Sequence, residues 1–178
     1  HPCAMPLALH VTDRAALNAA AQTVLAAVPL DLVMYCAGYY KEMRATGFDL
    51  AEMLRHSDVN YNGALYLLDA VLPALLVQKS GHISLISSVA GYAGLPKSLA
   101  YGPTKPALIN LAETLYLDLH ESGIGVSLIC PGVVETPLTA QNDLRMPAPH
   151  TPTPAACALT DGWPRRTRHT HSTRRLTP

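Results

Sequence analysis

Two textures alternate along the first 130 residues: short runs apolar at nearly every position, and longer stretches with apolar residues at helical spacing. Leu7–Val11 (LALHV) reads as a short strand. Asp13 then stands where a helix cap belongs, ahead of the Ala-rich stretch Arg14–Ala27, a strong helix former. Leu30–Ala37 (LDLVMYCA) is a near-continuous apolar run ending at Gly38, which suits a strand buried on both faces. Phe48–Lys79 is helical in pattern, a short helix followed by a long one from about Val59. His82–Ser88 (HISLISS) is a second buried strand, and Tyr101–Ser122 a third helical stretch stopped by Gly123 and Gly125. Val126–Cys130 (VSLIC) is a further strand, ending at Pro131-Gly132. Apolar strands alternating with helices predict an α/β fold with a parallel sheet.

From Pro147 the pattern disappears. Six Pro, seven Thr and five Arg fall within 32 residues with no apolar periodicity, so residues 147–178 read as a disordered tail after a domain spanning 1–146. With 178 residues there is room for one domain of ordinary size. Thirteen basic residues balance thirteen acidic ones, which argues against a nucleic-acid partner; the last 18 residues alone carry a net +4. Four scattered cysteines without a Cys-x-x-Cys pair argue against a zinc ribbon or a disulfide scaffold and fit a reducing, cytoplasmic setting. The most apolar run, Gly63–Val77, is broken by Asp69 and Pro73 and is too short to span a bilayer, so no membrane partner is expected.

The sharpest chemical signal is Tyr101-Gly-Pro-Thr-Lys105. Residues four apart on a helix share a face, so the Lys105 ammonium can lie near the Tyr101 phenol. A nearby positive charge favours phenolate and is expected to lower the phenol's pKa, suiting Tyr101 to proton transfer near neutral pH. Ser88 ends a buried strand 13 residues earlier, and the carboxyl ends of parallel strands are where ligands bind in this architecture. Two more strand ends carry glycine, Cys36-Ala37-Gly38 and Cys130-Pro131-Gly132, and Asn60 lies near the start of the long helix.

The set Asn60, Ser88, Tyr101-x-x-x-Lys105 and Pro131-Gly132-x-x-x-Thr136 resembles the short-chain dehydrogenase/reductase family over about residues 7–146. The resemblance implies a Rossmann-like, doubly wound parallel sheet and hydride transfer between NAD or NADP and a small carbonyl/alcohol substrate. It implies Tyr101 as general acid/base and Lys105 as the group that lowers its pKa and binds the nicotinamide ribose. Ser88 would orient the substrate oxygen, and Asn60 would hold a water linking Lys105 to solvent. Val11, Cys36, Ala37, Gly38, Pro131, Gly132, Val133 and Thr136, with Tyr101 and Lys105, would contact the cofactor. Homo-oligomerisation is expected through the helices 59–79 and 101–122.

The family opens with a strand, a Gly-rich turn, a helix and a second strand, and none of these is visible here. The fold is therefore read as an incomplete Rossmann-like sheet, truncated at the N-terminus and aberrant at the C-terminus. The Gly-rich turn is what lets backbone amides hold a pyrophosphate. An alternative function follows: an inactive fragment serving as an oligomerisation module. In the family's strand order, Leu30–Ala37 would be left with an unpaired apolar edge, unless Leu7–Val11 slides across to pair with it. Where the family usually has Asn-Asn-Ala-Gly, this chain has Tyr35-Cys36-Ala37-Gly38, and Pro106 fits a helix only within its first turn.

Overall fold

A computed structural model describes residues 4–132 together with Val134, Thr151, Thr153 and Thr173–Arg174. Helix α1 (Arg14–Leu25) begins at Asp13, whose carboxylate accepts a hydrogen bond from the Ala16 N–H at 3.0 Å. The cap satisfies one of the amides that a helix start leaves unpaired. Strand β1 (Val33–Tyr35) precedes α2 (Leu50–Ser57), capped in the same way by Asp49. One π-helical turn, Asp58–Asn62, joins α2 directly to α3 (Gly63–Gln78). Then come β2 (Gly81–Ile86), α4 (Thr104–Leu119) and β3 (Ile124–Ile129), and a two-residue strand β4 (Thr173–Arg174).

The sheet order is β1-β2-β3-β4. The first three strands are parallel, in a register that sets Tyr35 beside Leu85 and Leu85 beside Leu128. Leu75, Ile83, Leu85, Leu108 and Leu128, each at most 1% exposed, form the centre of the core between the sheet, α3 and α4. Burying each such side chain is worth about 1.5–3 kcal/mol. The turn from α3 into β2 requires a glycine at residue 81: φ is 122°, and a Cβ there would lie 2.7 Å from Leu75 Cδ2. The Gln78 side-chain amide grips both backbone groups of Leu30, at 3.1 and 2.9 Å, and so fixes the approach to β1.

Three expectations need correction. Leu7–Val11 is not a strand: residues 4–10 have no regular structure and Val11 begins a turn. It does not slide across to β1 either, and β1 stands at the end of the sheet order with Leu32 and Met34 exposed. A strand needs a hydrogen-bonded neighbour, and this segment pairs with none of the described strands. The run Leu30–Ala37 contributes only three strand residues, Val33–Tyr35, and Leu30 bonds instead to the Gln78 side chain. Most of 147–178 lies outside the described residues, but Thr173–Arg174 pairs antiparallel with Leu128 and Ile129, which is not the unstructured tail expected at those two positions. Among the described residues, no helix is long and apolar enough to cross a membrane.

Candidate active site

The carboxyl end of β2 is tied to the start of α4. The Ser87 N–H donates to the Ile129 carbonyl at 2.7 Å, and its hydroxyl donates to the Lys105 carbonyl at 2.9 Å. Ser88 follows: its Oγ accepts from the Ala90 N–H at 3.2 Å and shares a side-chain hydrogen bond with Tyr101. The short turn Val89–Gly91 presses on α4 so closely that a Cβ at Gly91 would lie 2.5 Å from Ile109 Cδ1. That contact holds Ser88 above the first turn of the helix.

Tyr101 lies just ahead of α4, whose N-cap is Pro103. Pro106 falls in the first turn, where a missing N–H leaves no helical bond unmade. Lys105 is 3% exposed. Its ammonium donates to the Ile86 carbonyl at 3.3 Å and lies 5.2 Å from the centre of the Tyr101 ring. Burial pulls the Lys105 pKa down to about 8, with Cys36 and Cys130 acting in the opposite direction. The Tyr101 phenol moves the other way from the sequence expectation. Burial pushes its pKa above the ordinary value, the Ser88 hydrogen bond opposes this, and Tyr40 adds to it. Desolvation of the phenol, rather than the charge of Lys105, sets the direction.

Asn60 is fully buried in the π turn. Its Oδ1 accepts from the Tyr39 N–H at 2.7 Å, and its Nδ2 donates to the Tyr39 carbonyl at 2.9 Å and to Thr104 Oγ1 at 3.2 Å. The Thr104 hydroxyl in turn donates to the Tyr101 carbonyl at 2.7 Å. The Asn60 side chain thus joins the loop after β1 to the Tyr101-to-Lys105 motif, with both of its N–H groups committed to protein acceptors.

The remaining candidates divide. Val11, Cys36 and Ala37 line an apolar cavity of about 260 Å³ between α1 and β1, together with Leu17, Val24 and Leu67. Gly38 is exposed, and a Cβ there would come no nearer than 4.0 Å, to Asn60 Oδ1. The Pro131 carbonyl accepts from the Val89 N–H at 3.1 Å, and Gly132 is exposed with open space around it. Val133 and Thr136 lie outside the described residues. Sequence reasoning missed Tyr40, Ser87 and Thr104. Thr104 sits inside the motif itself and Tyr39-Tyr40 follows the strand-ending Gly38, which was the available signal.

The sequence profile of the family described as short chain dehydrogenase matches residues 2–146. An uncharacterized oxidoreductase of Staphylococcus epidermidis is 36% identical over 114 residues, 64% of this chain and 50% of that protein. A 2-keto-3-deoxy-L-fuconate dehydrogenase of Xanthomonas campestris is 36% identical over 134 residues, 75% of this chain and 44% of that protein. Among solved structures, a putative NAD(P) dependent gluconate 5-dehydrogenase from Beutenbergia cavernae with bound NADP superposes with a TM-score of 0.70 at 26% identity. The match covers 74% of this chain and 53% of that one. A short-chain dehydrogenase from Streptomyces avermitilis gives 0.77 at 25% identity, covering 90% of this chain and 66% of that one. The chain thus spans about half the length of the curated relatives it matches. On the profile match over most of its length, this chain belongs to the short chain dehydrogenase family.

Proposed function

We propose that this chain carries the proton-transfer half of an oxidoreductase that moves a hydride between NAD or NADP and a small carbonyl/alcohol substrate. The observation that carries this reading is the placement of Ser88 on the Tyr101 phenol with the buried Lys105 ammonium 5.2 Å from the same ring. The residues present fit the nicotinamide-ribose part of such a cofactor. A buried ammonium has one hydrogen bond among the described residues, to Ile86, and it lies beside strand ends whose Gly38 and Gly132 are exposed. The NADP in the gluconate 5-dehydrogenase structure supports the same class of ligand. When bound, the cofactor supplies the hydride.

Everything else is the work of the chain. Tyr101 Oη, kept protonated by its raised pKa, gives its proton to the substrate oxygen in the direction of reduction. Ser88 Oγ donates to the same oxygen and fixes its position. Lys105 Nζ would hold the ribose hydroxyls, and its positive charge, 5.2 Å from the Tyr101 ring, would stabilise the phenolate as it forms. Asn60 and Thr104 keep the Tyr101-to-Lys105 turn on the loop after β1. The sequence contains no Gly-rich phosphate turn, so affinity of these 178 residues for the cofactor is expected to be weak. Fluorescence titration with NADPH tests this: saturation in the micromolar range would contradict it. Joining a strand–Gly-turn–helix–strand unit upstream should give tight binding and turnover.

Association of copies through α3 and α4 is a second element of the proposal, supported by Leu76, Val77 and Leu117, exposed at 44, 85 and 64% on those helices. Sedimentation of the chain beside Leu117→Glu tests it; equal masses for both would remove it.

A further inference from the structure

The loop after β1 and the segment before α4 are strapped together. Met43 and Ser98 form a parallel bridge, the Met43 N–H donates to the Lys97 carbonyl at 2.9 Å, and the Leu99 N–H donates to the Met43 carbonyl at 3.3 Å. The Lys97 ammonium closes the strap on the Glu42 carboxylate at 3.0 Å, with both side chains half-buried. Lys97 adopts φ 59°, a left-handed conformation uncommon for a non-glycine residue. This strap brings two rings together. Tyr40, buried and sharing a side-chain hydrogen bond with Ser98, meets Tyr101 edge to face, with centroids 5.3 Å apart and planes at 83°. Edge-to-face is the arrangement that the ring quadrupoles favour.

We propose that Tyr40 is a positioning residue for Tyr101: its ring blocks the phenol from swinging away and holds it on Ser88. The inference rests on the reading of Tyr101 as the proton carrier and adds a residue that this reading did not include. The geometry gives the reason. Tyr101 precedes the helix, and its carbonyl is held by the Thr104 N–H and hydroxyl while the Gly102 N–H next door donates to the Ser98 carbonyl. Ser88 offers one hydrogen bond and Lys105 a charge 5.2 Å away, and neither limits rotation of the ring. Tyr40 is the aromatic side chain set against that ring among the described residues. Its own mobility is removed from both ends, by Ser98 at the phenol and by Asn60, which pins the backbone of Tyr39 next door.

The test reads Tyr101 directly, by 13C NMR titration of the ring-labelled chain, with the Tyr101 resonance assigned from Tyr101→Phe. Three groups face the phenol, namely Ser88, Tyr40 and Lys105, so the midpoint reports their arrangement. In Tyr40→Leu, water reaches the released phenol and its midpoint falls by at least about half a pH unit. Tyr40→Phe, which keeps the ring, should shift less than half as far. Tyr35, buried elsewhere in the core, should not move in either variant. A folded Tyr40→Leu chain with an unmoved Tyr101 midpoint, or with Tyr35 and Tyr101 shifting together, overturns the proposal. If Tyr40→Leu does not fold, Lys97→Gln loosens the strap without touching either ring. A smaller fall in the same direction supports the proposal, and no shift overturns it. Because neither cofactor nor substrate is present, the result is independent of whether the hydride-transfer reading survives.

Discussion

The phenol of Tyr35 occupies the space that a side chain at Gly63 would need. A Cβ on residue 63 would lie 2.2 Å from Tyr35 Oη and 3.2 Å from the Val11 carbonyl oxygen. The hydroxyl reaches over α3 in this way to donate to the Val59 carbonyl in the π turn. A tyrosine at the strand end and a glycine at the helix start are therefore one structural unit, linking β1 to the turn that carries Asn60.

Gly63→Ala should destabilise the fold by about 1–3 kcal/mol, since the added methyl would meet the Tyr35 phenol and the Val11 carbonyl and force one of them to shift. Tyr35→Phe alone should cost about 0.5–1.5 kcal/mol for the lost hydrogen bond. Combined, the two should cost less than their sum, because removing Oη clears the closest contact. Thermal or urea unfolding of the four proteins of the cycle measures the coupling, and strict additivity would show that the two sites are independent.

Asn60→Ala should be more damaging than its size suggests. It leaves the Tyr39 N–H and carbonyl without their buried partners and takes a donor from Thr104, a loss of roughly 2–4 kcal/mol. Asn60→Asp should fare no better, because the carboxylate cannot donate to the Tyr39 carbonyl. Urea unfolding of the two variants checks this, and a cost below about 1 kcal/mol for Asn60→Ala would mean that the Tyr39 loop finds other partners.

Stability should rise across the alkaline range and then fall. The folded-state pKa of Lys105 is depressed from 10.5 to about 8, so the unfolded chain binds more protons than the folded one between those values. Its contribution is present above the unfolded value, declines from there, and is lost as pH falls through about 8, a change of about 3 kcal/mol by the usual conversion. Tyr35 has the opposite dependence. Its pKa is raised from 10.0 to about 12, so its contribution is present below pH 10 and lost as pH rises through 12. The melting temperature should peak near pH 10, and Lys105→Met should flatten the rise from pH 8. A parent chain whose stability declines steadily from pH 7 would contradict this balance.

The candidate site residues were readable where short-range rules govern them. Tyr101 and Lys105 are brought together by their spacing at a helix start, and Ser88 is placed by the end of an apolar strand. Asp13 was legible as a cap for the same reason, whereas the Asp49 cap of α2 was not singled out. What was not legible depends on distant partners. Leu7–Val11 has the composition of a strand but pairs with none of the described strands, and its composition alone could not reveal that. The direction of the Tyr101 pKa depends on how deeply the phenol is buried, which the charge of Lys105 four residues away does not report. Tyr40 carries no motif, and its role emerges only when the strap between residues 42–43 and 97–99 sets its ring against Tyr101.

The central claim is that Tyr101 Oη carries the proton in a nicotinamide-dependent carbonyl reduction. It is tested most directly by NADPH oxidation kinetics in a chain that carries these 178 residues behind a Gly-rich strand–turn–helix–strand unit, comparing the parent with Tyr101→Phe. The account predicts a fall in kcat of about 100-fold or more, the usual contribution of a positioned acid, with NADPH affinity changed by no more than about threefold. Lys105→Met should lower both kcat and affinity, because that one side chain serves the phenol and the ribose together. A Tyr101→Phe protein that turned over at the parent rate would contradict the account.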